Sequence, residues 1–252
     1  MAMTIMFKFT LFMSLMLTLT YAQAEQPREL GVTASFWSPY VNHELPDNGF
    51  AVNLVMTALE RAGYKPSFEM QQWPNDLEGT QQGRYDVIAS IWYTKERTRE
   101  LVFSQPIIEN RVKLMVRTDS NIQIPNPREM KGYRVGVVED YAYTQGAYAD
   151  LPVDFVKMDT VEENLQQLLA GKIDIAVADE RVALYVMNNR IPGSIKQIRF
   201  VESNVSTRGL RIAVTRKRPD AEQIISDFEN AFQGMKDDGT YVDILLQFRV
   251  SQ

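Results

Sequence analysis

The sequence predicts an α/β protein folded as two lobes. Strand-like and helix-like runs alternate from Leu30 to Phe248, the pattern of helices packed on a largely parallel sheet. One joint occurs twice, as "GRYDVIAS" from Gly83 and "GKIDIAVA" from Gly171. In each copy a glycine closes a helix, a basic residue follows, and an Asp leads into an apolar strand. The length of 252 residues fits one domain or two, and it suffices for a core that holds without the cysteines this chain lacks. Chance is the alternative reading of the repeat, since Gly-capped helices before strands are common in α/β proteins.

Leu30 to Ser35 reads as the first strand, broken by Trp37-Ser38-Pro39-Tyr40. Phe50, Leu54, Val55, Ala58, Leu59 and Ala62 fall at helical spacing, and Gly63 closes that helix. Phe68 to Gln72 is extended, a short polar helix ends near Gly83, and Tyr85 to Trp92 is a strand. Thr94 can cap the next helix, with Glu96 in its first turn. Ile107 to Arg117 is extended, and 121–131, with Pro125 and Pro127, is a loop. Tyr133 to Val138 is a strand. Thr160 and Glu163 form a capping box before a helix lined by Val161, Leu165, Leu168 and Leu169. A strand over Ile173 to Ala178 leads into a helix from Glu180 to Asn189. Leu210 to Thr215 is a strand, Pro219 opens a helix, and a last helix runs from Tyr241 to Phe248.

The first 24 residues have the form of a secretory leader. Lys8 precedes an apolar stretch from Phe9 to Tyr21, and Ala22-Gln23-Ala24 offers a small-x-small cleavage site. The stretch is short of the about 20 apolar residues a membrane span needs. An uncleaved amphipathic anchor is the alternative. Without cysteine, attachment through a lipidated N-terminal cysteine is excluded. The net charge of −5 argues against binding nucleic acid or an anionic membrane. One histidine and no cysteine argue against a zinc site, and no cofactor is expected.

Ligands of open parallel sheets sit at the carboxyl ends of the strands. The residues following the two joints, Ser90 to Arg97 and Asp179 to Glu180, are therefore placed to touch one. The order Trp37-Ser38-Pro39-Tyr40, Gly49-Phe50, "GRYDVIASIWYTKERT", "LVFSQP", "KGYRVGVV", "GKIDIAVADE" and "MKDDGTY" resembles family 3 of the bacterial periplasmic solute-binding proteins. These are receptors of polar amino-acid ABC importers, related to ligand-binding sensor domains. The resemblance covers nearly all of residues 25–252. It implies a type II periplasmic binding-protein fold, a Venus flytrap with two hinge crossings. Lobe 1 would hold 25–109 and 210–252, and lobe 2 would hold 110–209. The protein would be periplasmic and monomeric, with an ABC permease or a membrane sensor as partner.

The resemblance also implies site residues. A Thr followed three residues later by Arg precedes the family's "F-S/T-x-P" stretch, and that Arg grips the ligand's carboxylate. Here the pair is Thr94 and Arg97, which leaves Arg99 to solvent. A guanidinium suits the role because it stays charged and binds a carboxylate through two parallel donors. A surface pairing of Arg97 with Glu96 or Glu100, worth little, is the alternative. Asp179 matches the acidic residue that meets the ligand's ammonium, and it would equally serve as the N-cap of the helix from Glu180. Trp37, Trp73 and Trp92 map near one cleft, as walls or as core. After "VGV" the family carries Gly with Ser or Thr. Here Glu139, Asp140, Tyr141, Ala142 and Tyr143 stand instead, which makes Tyr141 a wall or hydrogen-bond donor and weakens the case for an α-carboxylate. Two other functions compete with the importer receptor: a ligand sensor, and a periplasmic dehydratase of prephenate or arogenate on the same fold, with a cleft carboxylate as acid. No nucleophile motif, phosphate loop or paired-carboxylate motif supports an enzyme.

Overall fold

A computed structural model describes residues 28–124, 126–139, 141, 151, 153–202 and 207–249. The leader, and Asp140, Ala142 and Tyr143, lie outside the described residues. The first βαβ units are built from β1 (Arg28–Ser35), α1 (Phe50–Arg61), β2 (Tyr64–Gln71), α2 (Asn75–Gln82) and β3 (Val87–Trp92). β1 pairs in parallel with both β2 and β3. α1 forms because Phe50, Leu54, Val55, Ala58 and Leu59 recur on one face, and all five are buried.

The strands β4 (Leu101–Phe103) and β5 (Ile108–Arg117) follow. A second set of parallel units holds β6 (Val135–Val138), β7 (Phe155–Met158), α3 (Val161–Leu169) and β8 (Ile175–Asp179), with β6 parallel to both β7 and β8. After α4 (Glu180–Asn189) come β9 (Ile198–Phe200), β10 (Thr207–Thr215), α5 (Ala221–Asp237) and α6 (Thr240–Arg249). The last two helices pack back on α1.

Two antiparallel strands join the parallel sets. β5 pairs with β10 over Ile108 to Arg111, then with β8 over Val112 to Met115 and with β9 over Met115 to Arg117. β10 continues from β5 onto β3 and β4. The path β2-β1-β3-β10-β5-β8-β6-β7 is thus an α/β two-lobe arrangement with two strands passing between its halves.

Three short strands, β4, β7 and β9, were not legible in the sequence. The helix expected after Thr94 is instead a single 3-10 turn, Arg97–Arg99. Glu96 occupies the N-cap position of that turn, and Thr94 Oγ1 accepts the Arg97 N–H at 3.2 Å. The turn cannot lengthen because Leu101, Val102 and Phe103 pair with Thr215, Val214 and Ala213 of β10. The capping box at Thr160 forms in modified shape. Thr160 Oγ1 accepts from Glu163 N, while Glu163 Oε2 reaches back to Asp159 N.

The repeated joint is a structural repeat. Gly83 and Gly171 both adopt positive φ, +82° and +68°, the left-handed conformation glycine enters without a Cβ penalty. In the first copy Asp86 N donates to Gly31 O while Asp86 Oδ2 accepts from Gly31 N, both at 2.8 Å. In the second copy Asp174 N donates to Arg134 O and Asp174 Oδ2 accepts from Arg134 N, both at 2.9 Å. Each Asp thereby fixes its strand beside the first strand of its own parallel set. An arginine completes each joint: Arg218 bonds Asp86, and Arg134 forks onto Asp174.

The hydrogen-bonded Arg134 side chain holds the Asp174 carboxyl below the usual carboxylate range. Because the folded-state pKa is depressed, this stabilisation is present above the unfolded value of about 3.9. It is lost as pH falls through the folded value. Asp174→Ala is therefore expected to lower Tm by about 2–4 °C at neutral pH. The gap to the parent protein should narrow in melts run progressively below about pH 4.

Candidate functional site

Two cavities meet at the carboxyl ends of β1, β2, β3 and β6. The inner one, about 80 Å³, is lined by Ser35, Phe36, Trp37, Trp73, Ser90, Ile91, Trp92, Arg97, Tyr141 and Leu210. The outer one, about 670 Å³, shares Ser35, Phe36, Trp37, Trp73 and Tyr141 with it, and has Glu139, Asp159, Glu162, Tyr185 and Arg190 on its far side. Six residues singled out in the sequence, Trp37, Trp73, Ser90, Trp92, Arg97 and Tyr141, thus come together on the inner cavity.

The aromatic walls fix one another. Trp37 meets Trp92 edge-to-face at 5.5 Å and 85°, and Tyr141 at 6.0 Å and 86°. Trp92 and Tyr141 meet at 6.2 Å and 79°. These spacings are those of rings in direct contact. Tyr40 stacks on Trp37 at 4.6 Å. The buried Trp92 indole donates to Asn110 Oδ1 at 2.9 Å. The Trp37 indole N–H is buried without a hydrogen-bond partner, and its residue lines both cavities.

Arg97 is half-buried. Its Nη1 donates to the Trp92 carbonyl at 2.8 Å, and its guanidinium lies 5.0 Å from the Trp73 ring centre. Burial pushes its pKa down, and the nearby Asp76 charge opposes that shift. Arg99, two residues on, is exposed. Asp76 itself is fully buried, accepts from the Ser35 hydroxyl at 2.8 Å, and has its pKa pushed up by burial. Neither Ser35 nor Asp76 was singled out in the sequence. Asp76 sits in a polar stretch, and only the tertiary fold carries it beneath the cavity.

The structure places Asp179 elsewhere. It lines neither cavity and is 1% exposed. Oδ1 accepts from Tyr40 Oη at 3.0 Å and from the backbone N–H groups of Arg181 and Val182 at 3.0 and 3.1 Å. Oδ2 accepts from Asn110 Nδ2 at 3.1 Å. The capping role considered in the sequence is formed, and Tyr40 and Asn110 stand where an ammonium was expected. Burial raises the Asp179 pKa, with these donors acting in the opposite direction. Burial likewise pushes the Tyr40 and Tyr141 hydroxyls up, and the Asp179 charge adds to both shifts. Among the described residues no cluster of His, Cys, Asp or Glu is arranged to hold a metal.

An α/β chain of two halves, crossed by two strands and enclosing a cavity at its strand ends, defines the type II periplasmic binding-protein fold. Residues 33–125 match the model of the bacterial extracellular solute-binding proteins, family 3. It is 24% identical over 228 residues to ABC transporter arginine-binding protein 1 of Escherichia coli, covering 88% of this chain and 90% of that one. It is 29% identical over 192 residues to the membrane-bound lytic murein transglycosylase F of Desulfosudis oleivorans, but spans only 42% of that protein. Among solved structures, a histidine kinase sensor domain with similarity to periplasmic binding proteins superposes with a TM-score of 0.72 at 21% identity. That match covers 88% of this chain and 96% of the other.

Removing the Asp179 carboxylate strips a helix cap and leaves Tyr40 and Asn110 without their buried acceptor. Asp179→Ala is expected to cost about 2–4 kcal/mol of unfolding free energy, measured by urea denaturation.

Proposed function

We propose that the protein clamps a small polar solute, an amino acid or related amine or carboxylate, and presents the closed form to an ABC importer. In this reading 25–109 with 210–252 form lobe 1, 110–209 form lobe 2, and the leader directs the chain to the periplasm, where it acts as a monomer. The observation that carries the reading is the convergence of Arg97, Trp37, Trp73 and Trp92 from one half, and Tyr141 from the other, on one cavity. A ligand touching both halves favours closure by the difference in its affinity for the open and closed forms. Arg97 supplies a partly desolvated guanidinium, which gains most from a carboxylate that shares its enclosure. Trp37, Trp73, Trp92 and Tyr141 supply the apolar walls, and Ser90 a hydroxyl.

The sensor reading uses the same ligand chemistry and differs only in the membrane partner. The likeness to a kinase sensor domain supports it at the level of fold. Reconstitution separates the two: a receptor stimulates ATP hydrolysis by its permease complex in liposomes, and a sensor does not.

If Arg97 grips an anion, Arg97→Gln loses about 2–4 kcal/mol of ligand affinity. Arg99→Gln should bind within about twofold of the parent protein, since exposed charges contribute little. Calorimetric titration with whichever carboxylate raises the melting temperature checks the pair. Equal losses from both variants would overturn the assignment of Arg97.

A further inference from the structure

We infer that the cleft selects a carboxylate with a flat apolar body and no charged amine, rather than a zwitterionic α-amino acid. The inference rests on the solute-clamp reading and names its ligand class. None of the ten residues lining the inner cavity is acidic. Asp179, the carboxylate that the sequence offered for an ammonium, is enclosed by four donors of the protein itself. Asp76 lies behind the cavity wall and is engaged by Ser35.

The aromatic faces do not favour a cation either. A guanidinium already covers Trp73, that of Arg97 at 5.0 Å, and another covers Trp92, that of Arg208 at 5.2 Å. While Asp76 and Glu96 favour the charge on Arg97 more strongly, Arg208 is close enough to disfavour it. An anion relieves that repulsion, whereas an ammonium would add to it. Trp37, Trp92 and Tyr141 touch one another edge-to-face and give the cavity an apolar wall. The unpartnered Trp37 N–H is a donor and asks for an acceptor.

The outer cavity does not restore an amine site. Glu139 is paired with Lys157 at 2.9 Å, Asp159 is exposed to solvent, and Glu162 Oε1 accepts from the Gln166 amide at 3.2 Å. A volume of about 80 Å³ admits a carboxylate and a few carbons. The apolar body then runs past Trp37 and Tyr141 into the outer cavity.

The test is a matched trio that differs only in charged groups: 3-phenylpropanoate, phenylalanine and phenethylamine. Each is titrated calorimetrically into the protein, with the common amino acids screened beside them by thermal shift. The acid should bind at least about tenfold tighter than phenylalanine. The amine should give no heat, and Arg97→Gln should weaken the acid by at least about tenfold. Tighter binding of phenylalanine, of the amine or of another amino acid overturns the inference and leaves the solute clamp standing. Silence from the trio and from all amino acids overturns both.

Discussion

The Asp179 carboxylate is the group on which the rest of the site depends. A charge buried this deeply costs several kcal/mol unless hydrogen bonds replace its water. Four donors do so here, and they come from three places in the chain: Tyr40 after β1, Asn110 in the crossing strand β5, and the first turn of α4. Tyr40 and Asp179 are 139 residues apart. The bond therefore ties the β1–α1 connection to the end of β8, where the two parallel sets approach each other.

The consequences reach the cavity through two short paths. Asn110 spends its amide nitrogen on Asp179 and its oxygen on the Trp92 indole, which fixes the ring. Tyr40 spends its hydroxyl on Asp179 and its face on Trp37. Two of the cavity walls are thus positioned by a carboxylate that does not line the cavity. Arg97 is held by a separate device, the Trp92 carbonyl and the Trp73 ring. The same indole residue that Asn110 orients also supplies the carbonyl that orients the guanidinium. Recognition and folding share these groups, so a substitution at Asn110 or Tyr40 acts on both.

Much of the fold was legible because periodicity and glycine signals are local. α1 and α4 follow from apolar spacing and capping chemistry, and the Asp of the repeated joint sat in plain view at Asp86 and Asp174. The backbone exchange those two residues make with Gly31 and Arg134 was not legible, since it joins segments 55 and 40 residues apart. β4, β7 and β9, each of three or four residues, carry too few side chains for a pattern, and their strand character comes from their neighbours. At the site, the repeated joint and the family resemblance led to Arg97, and the resemblance led to the tryptophans. For Asp179 the type was informative and the partner was not: an acid at a strand end suits an ammonium, a helix cap or a buried tyrosine. Tyr40 stands in a strand-breaking turn and Asn110 within an extended run, and neither position in the sequence marks it as a partner of Asp179.

The central claim is that Asp179 serves the fold as a brace between Tyr40 and α4. A double-mutant cycle of Tyr40→Phe and Asp179→Asn, followed by urea denaturation without ligand, tests it most directly. Each substitution alone should destabilise, and the pair should do so by less than the sum, with a coupling of about 1 kcal/mol or more. Effects that add to within about 0.3 kcal/mol would contradict the account and return Asp179 to the ligand.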